Sequence, residues 1–456
     1  MKKRIEQHDI KWKTNHNLDE MGKCFTYDGR FYRLIYAHMI DEFRSLLNCE
    51  FIKAAIDKRL LIPAFEVEDM ELEGYEECLL IEHPRLPYVT ENNEWSQLML
   101  YSAMSMVINL ELILLSGGYG LADPHCNNIA FDGNTPVYLD WGSIRPLSVI
   151  GFTTLREIRE RWMYPYLFWK NTGLEYDAYR DFFYIHTRLS AERYSALVFN
   201  GALAGMRHRI ADMCEYRMYD NTVKGGKLTE MVFGAIRAIR HIDNKKVNRY
   251  MDRRLRQYLA MVEHDKACLQ RRLCDIEEAT AKQSDSMFSR VALECKKRIE
   301  QRSGRLTGLR LVYWTDKNSI EYVDSKLTDD TSIIIGANDS KLIDRLLCSD
   351  NKKVGYAVTD VFERRKISDE NRLHRFDADI LVLTCPVENY LEKDCITLEF
   401  LMSTACVYSH EYVLLGTKME ENAVSMLVDR INAIRGCRVE EIVPTGERKV
   451  LMVHVE

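Results

Sequence analysis

Residues 333–346 read IIIGANDSKLIDRL: an apolar strand closes on Gly336 and Asn338, and a helix starts straight after it at Ser340. The same grammar continues outward. VGYAVTDV (354–361) is a further strand ending near Asp360, ADILVLT (378–384) another, and EYVLLG (411–416) and KVLMVHV (449–455) two more. Helices through LEFLMSTA (398–405) and near Asn422 to Arg435 fall between them. Strands alternating with helices predict a parallel sheet covered on both faces. This α/β region is expected over 306–456, with Ser303-Gly304 closing what precedes it.

At 456 residues the chain exceeds one ordinary hydrophobic core, so two or three domains are expected. Its composition, 46% apolar and 29% charged with nine prolines, is that of a soluble globular protein. The opening MKKRIEQHDIKWK lacks the uninterrupted apolar segment of a secretory signal, and no apolar run of about 18 residues stands out. A cytoplasmic protein with no transmembrane segment is therefore expected. Thirteen cysteines are scattered with no CxxC pair; they read as reduced, mostly buried thiols and argue against structural zinc.

A net charge of −6 and a pI near 6.1 argue against general nucleic-acid binding. One segment departs from that average: between Lys245 and Arg305, 16 Lys/Arg stand against 9 Asp/Glu. This helical segment, 246–305, is either a solvated face or a patch for a phosphate-rich partner or a membrane surface.

Nearer the N-terminus, KCFTY and RFYRLIY flank Asp28-Gly29, a strong signal for a hairpin. Residues 37–60 read as helical, from Met39, Ile40, Phe43, Leu46 and Leu47, and AFEVEDM and ECLLIEH as strands after Pro63. Ser96 to Ser116 is apolar around most of its surface, which predicts a buried helix. Residues 154–245 are rich in helix formers and aromatics. The expected segments are thus 1–95, 96–245 and 246–305, ahead of the α/β region.

The remaining stretch is GLADPHCNNIAFDGNTPVYLDWGS (120–143), which ties Asp123, Asn128 and Asp140 to one hairpin, Asp140 ending the apolar run 136–139. Carboxylate and amide oxygens suit a hard divalent ion, and Gly142 lets the chain turn sharply after Asp140. An ordinary hairpin with surface carboxylates is the alternative, since Asp, Asn and Gly are common turn residues.

The spacing DxxxxN followed by DWG resembles the protein-kinase-like superfamily, in its aminoglycoside- and choline-kinase style branch. By that resemblance Asp123 is the base at the acceptor hydroxyl, a role worth about 10²–10⁴ in rate. Asn128 and Asp140 would hold magnesium against the phosphates of ATP. His125 would touch phosphate or substrate, or only brace the loop. Arg33 stands where a kinase lysine clamps phosphate, and Glu42 or Glu50 on the next helix would pair with it or lie on a solvated face. TNHNLDEMG (14–22) offers only Gly22 as a phosphate loop.

IIIGANDSKLIDRL in turn resembles the class I SAM-dependent methyltransferases, whose glycine-rich turn carries the methionine part of the cofactor and whose acidic residue binds ribose. Gly336, Asn338 and Asp360 take those places, with one glycine where two or three are usual. The whole chain resembles a group of bacterial, nodulation-related proteins that fuse a kinase-like module to a methyltransferase domain. That likeness rests on LLIEHPRLPYVTENNEWS, the 123–143 stretch, RWMYPYLFW and ADILVLTCPVENYL.

The fold implied is an α+β protein-kinase-like two-lobed domain followed by an α/β Rossmann-like domain of methyltransferase type. The function implied is an ATP- and magnesium-dependent phosphotransferase acting on a hydroxyl of a small molecule or glycan, its second domain degenerate. One alternative is a SAM-dependent methyltransferase whose kinase-like part holds acceptor or partner. The other is a non-catalytic regulatory protein.

Overall fold

The Asp-Gly hairpin forms where its sequence places it. In the computed structural model, Asp28 (φ 48°) and Gly29 (φ 70°) both occupy the left-handed region that a tight two-residue hairpin requires. The structure describes every residue except 1, 13–19, 87–89, 91, 186–187, 199–201, 220–225, 278–286, 304–309, 315–331, 338, 349–354, 359–377, 393–395 and 446–447. Chain contacts divide it into two units. One gathers Met1–Leu86, Tyr101–Ala130 and Pro136–Ala267; the other gathers Pro87–Leu100, Phe131–Thr135 and Cys268–Glu456.

In the first unit β1 (Lys3–Ile5) and β2 (Lys11–Trp12) precede β3 (Gly22–Tyr27) and β4 (Arg30–Ile35), the two arms of the hairpin. The single helical stretch expected over 37–60 is instead α1 (Ile40–Leu47) and α2 (Glu50–Asp57). Asn48 turns its side-chain amide back to the Arg44 carbonyl (2.9 Å), and Cys49 is extended, so the first helix ends there. Next come β5 (Phe65–Val67), β6 (Met70–Leu72) and β7 (Leu79–His83). The antiparallel sheet runs β2-β3-β4-β7-β5, and β6 pairs in parallel with β1. Phe25, Tyr32, Leu34 and Leu80 bury one face of it, with Ile5 and Leu72 against them.

By length and composition α3 (Gln97–Ser116) is apolar enough to cross a membrane. It is also 78% buried inside the protein, the setting of a core helix. β8 (Tyr119–Leu121), β9 (Ile129–Asp132), β10 (Thr135–Tyr138) and β11 (Ile144–Pro146) then form two short pairs, β9 with β10 and β8 with β11. Among the described residues the helices that follow are α4 (Leu147–Ile150), α5 (Thr153–Ile158), α6 (Tyr164–Thr172), α7 (Tyr176–Ile185), α8 (Ala191–Val198), α9 (Ala202–Tyr219), α10 (Lys227–Ile239) and the long α11 (Asn244–Glu277).

The second unit continues with α12 (Met287–Ser303), β12 (Arg310–Trp314), β13 (Ser332–Ala337), α13 (Ser340–Cys348), β14 (Gly355–Val358) and β15 (Ala378–Leu383). α14 (Val387–Glu392), α15 (Leu398–Tyr408), β16 (Ser409–Thr417), α16 (Glu421–Asn432), β17 (Cys437–Thr445) and β18 (Arg448–Val455) complete it. The sheet order is β14-β13-β12-β15-β16-β18-β17; the first five strands are parallel, and β18 runs antiparallel between β16 and β17. This is a Rossmann-like α/β layer. β15 is buried at every position, as an unbroken apolar strand covered on both faces must be. Leu381, Leu383, Leu401, Met402, Val413, Leu415 and Leu451 share one core, where each such side chain stabilises the fold by about 1.5–3 kcal/mol.

Two strands of this sheet do not stand out in the sequence. β12 is only five residues, and β17 carries Arg438, Glu440, Glu441 and Pro444, charges and a proline that blunt an exposed edge. Glu440 accepts from Arg298 (3.2 Å), Arg302 (2.8 Å) and the Tyr412 hydroxyl (3.0 Å), so two arginines of the basic segment hold α12 to the end strand.

Candidate functional site

Two places gather chemistry: the 120–143 loop of the first unit and the carboxyl ends of the parallel strands in the second. In the loop, backbone hydrogen bonds fix Asp123. Its carbonyl accepts from the His125 amide (2.7 Å), the Asn128 side chain (3.0 Å) and the Tyr138 hydroxyl (2.8 Å), while its own amide donates to Ser143 Oγ (2.8 Å). The Asp123 carboxylate, half exposed, meets Arg161 at 3.1 Å. Arg161 comes from a wide π-helical turn, Arg159–Met163, between α5 and α6, and also pairs with buried Glu157 at 2.9 Å.

Asp140 caps the short turn Trp141–Ser143 by accepting from the Gly142 amide at 3.0 Å. Its same oxygen takes Arg33 Nη2 at 3.2 Å. Arg33 lies on β4 with only 4% of its side chain exposed, and a guanidinium that deep requires an anion beside it. His125 Nδ1 accepts from the Asn127 amide (3.0 Å), and burial, then the nearby Arg161, pushes its pKa down; neutral His125 braces the loop.

The loop therefore brings Asp123, Asn128 and Asp140 onto one hairpin, as the sequence implies, but each carboxylate has an arginine partner. The donor set does not fit magnesium, since a cation at Asp140 would compete with a buried guanidinium. Among the described residues no three His, Cys, Asp or Glu side chains are grouped to hold a metal ion. Glu50 does not reach Arg33: it is exposed and pairs with Lys53 at 2.9 Å, while Glu42 lies 4.0 Å from Arg145.

In the second unit, the strand order reverses between β12 and β15, which opens a crevice at their carboxyl ends where α/β sheets bind ligands. Gly336 stands on the neighbouring β13, in register with Trp314 of β12 and Ala357 of β14, one residue from the strand's end. Asn338 and Asp360, the other two expected cofactor residues, lie outside the described residues. Asp339 accepts from the amides of Lys341 (3.0 Å) and Leu342 (3.3 Å) and so caps α13.

Three more residues shape this edge with no signal in the sequence beyond their types. Thr384 donates its amide (3.0 Å) and hydroxyl (2.9 Å) to the Trp314 carbonyl, tying β15 to β12 across the switch point. Glu388, on α14, accepts from Thr417 Oγ1 (2.7 Å) and the Lys418 amide (2.6 Å). Buried Asp344, on α13, accepts from the Leu98 amide at 2.8 Å.

No family profile matches the chain. It is 27% identical over 130 residues to the nodulation protein NoeA of Rhizobium meliloti (strain 1021), a match covering 28% of this chain and 27% of that protein. The chain thus spans about a quarter of the length of this curated relative. Among solved structures it matches the N-methyltransferase NodS from Bradyrhizobium japonicum WM9 in complex with S-adenosyl-L-homocysteine. Identity there is 14%, the TM-score 0.27, and coverage 42% of this chain and 97% of that one. The 16S rRNA methylase RmtB matches at 12% identity and TM-score 0.27, over 50% of this chain and 91% of that one.

These findings correct the phosphotransferase expectation. The curated match is to a nodulation protein over about a quarter of its length, and it carries over no kinase-like module, ATP or magnesium. The geometry agrees, because arginines neutralise the very carboxylates that were expected to hold the metal and the proton.

Proposed function

We propose that the chain is a SAM-dependent methyltransferase in which the second unit binds the cofactor and the first is a kinase-like module retained to hold an acceptor or partner. The observation that carries this reading is the reversal of strand order between β12 and β15, with Gly336 on the adjoining strand. A residue without Cβ at a strand end permits close backbone approach by a ligand. Gly336 and Asn338 would hold the methionine part and Asp360 the ribose. When bound, SAM supplies an electrophilic methyl group to an acceptor heteroatom.

The chain's own residues prepare the crevice. Thr384 fixes the end of β15 against β12, Asp339 holds the first turn of α13, and Glu388 anchors α14 to the end of β16. Position rather than charge is what these contacts supply, and positioning is a large share of any group-transfer rate. The acceptor is proposed to be a small molecule or glycan, met in the cytoplasm. In the first unit the paired Arg33–Asp140 and Arg161–Asp123 groups favour a binding role.

Titration of the full chain with SAM and with S-adenosylhomocysteine, followed by thermal shift, tests the reading. A ligand that binds only the folded state at a hundred times its Kd stabilises by about 2.7 kcal/mol. Both ligands are expected to raise Tm, and Gly336→Val to abolish the rise. The absence of any response to either ligand overturns the proposal and leaves a non-catalytic binding protein.

A further inference from the structure

The thirteen cysteines show no closely spaced pair in sequence, yet the fold of the second unit brings two of them together. Cys406 lies on α15, and Cys437 opens β17, 31 residues later; their sulfurs are 3.2 Å apart. Both backbones are anchored. α15 belongs to the core that contains Leu401, Met402 and Leu451, and the residues leading into β17 are fixed by the Cys437 amide on Ile434 O (3.1 Å) and the Glu456 amide on Gly436 O (3.0 Å). Gly436 takes φ 80°, the left-handed turn that points the chain into the strand. A disulfide needs sulfurs at about 2.05 Å, so closing the gap asks for roughly 1 Å of side-chain movement.

The two thiols are not equivalent. The hydrogen bond shared by the two sulfurs holds the Cys437 thiol below its usual range and raises that of Cys406, which favours the thiolate on Cys437. Cys437, itself only 7% exposed, lines a surface hollow of about 510 Å³ walled by residues 432–438 and Glu456, where Arg435 is exposed and Arg438 pairs with Glu440 at 3.0 Å.

We propose that Cys406 and Cys437 form a reversible disulfide, a redox modification site whose oxidant is a small disulfide such as oxidised glutathione. The Cys437 thiolate attacks one sulfur of the oxidant, whose S–S bond breaks and releases one thiol, leaving a mixed disulfide on Cys437. Cys406 gives its proton to water and attacks Cys437 Sγ, and the second thiol leaves. The protein loses two electrons and two protons; the oxidant gains them as two thiols. The new bond closes a loop between α15 and the end strand and restricts the unfolded chain. This inference does not depend on the methyltransferase reading.

The test uses the full chain, reduced, desalted and equilibrated in glutathione buffers of rising oxidised fraction, then alkylated and mapped by mass spectrometry. Expected are the loss of two hydrogens, a linked peptide pair containing residues 406 and 437, and a Tm higher by several degrees, all reversed by dithiothreitol. Cys406→Ser and Cys437→Ser should each abolish the linked pair. Full alkylation of both residues at every ratio, a glutathione adduct that persists on Cys437, or unchanged hydrogen loss in Cys406→Ser overturns the proposal. Should either variant fail to fold, the wild-type peptide map decides alone.

Discussion

The 120–143 loop and the carboxyl edge of the parallel sheet were readable to opposite degrees. In the loop every residue of interest lies within 21 positions, so the sequence displays the whole constellation at once, and its partners were the hidden part. At the sheet edge the contributing residues come from positions 314, 336, 384 and 417, and their juxtaposition exists only after strand order is set. A compact motif is easy to find and easy to misread. Arg33 and Arg161, brought in from β4 and the α5–α6 turn, convert a metal-binding pattern into two ion pairs.

The sheet region should be the more sensitive of the two to a lost side chain. Leu381→Ala, in fully buried β15, is expected to cost about 2–5 kcal/mol in urea unfolding, because the cavity cannot collapse within a covered sheet. A cost below about 1 kcal/mol would mean that the core there is looser than its burial indicates.

Arg33→Met tests the loop in the same assay and should cost about 3 kcal/mol. It leaves Asp140 without its cation, at the lower end for a broken buried pair because Asp140 is about a quarter exposed. A neutral result would show that the pair contributes no net stability. Asp339→Ala should cost less, about 0.5–2 kcal/mol, by removing the cap of α13. If it weakened SAM binding without changing stability, its role would be in the site and not in the helix.

The smallest effects appear with pH, and they carry opposite signs. Glu111, buried in α3 with its carboxylate on the Leu121 amide (2.9 Å), is pushed by burial up to about 7, against the hydrogen bond from Leu121. Its folded pKa is raised, so the stability it contributes is fully present below 4.5 and is lost as pH rises through about 7. For Glu440, burial acts upward but is outweighed by Arg302, Tyr412 and Arg298, which hold it down to about 2. Its contribution is present above 4.5 and is lost as pH falls through about 2. Glu111→Gln should flatten the neutral slope of a stability–pH profile and Glu440→Gln the acid slope; matching changes from both would break the contrast.

How much of the fold was legible follows from the range of each signal. The Asp28-Gly29 hairpin was legible because two adjacent residues supply the required backbone. The alternation over 332–455 was legible because covered parallel strands leave unbroken apolar runs. The break at Asn48 was not, since a side-chain amide folded onto its own helix looks in sequence like any polar helical residue. β17 was hidden by the charges that protect an edge, and Glu388, Thr384 and Asp344 by the ordinariness of their types.

Sequence alone determined the α/β grammar of the C-terminal region, the hairpin of the N-terminal one and the gathering of Asp123, Asn128 and Asp140, because periodicity and turn chemistry act between near neighbours. Tertiary structure decided that arginines occupy those carboxylates, that β12 and β15 lie side by side, and that Cys406 meets Cys437. Those outcomes depend on which distant segments share a core, and burial in a common core is not written in any short stretch of chain.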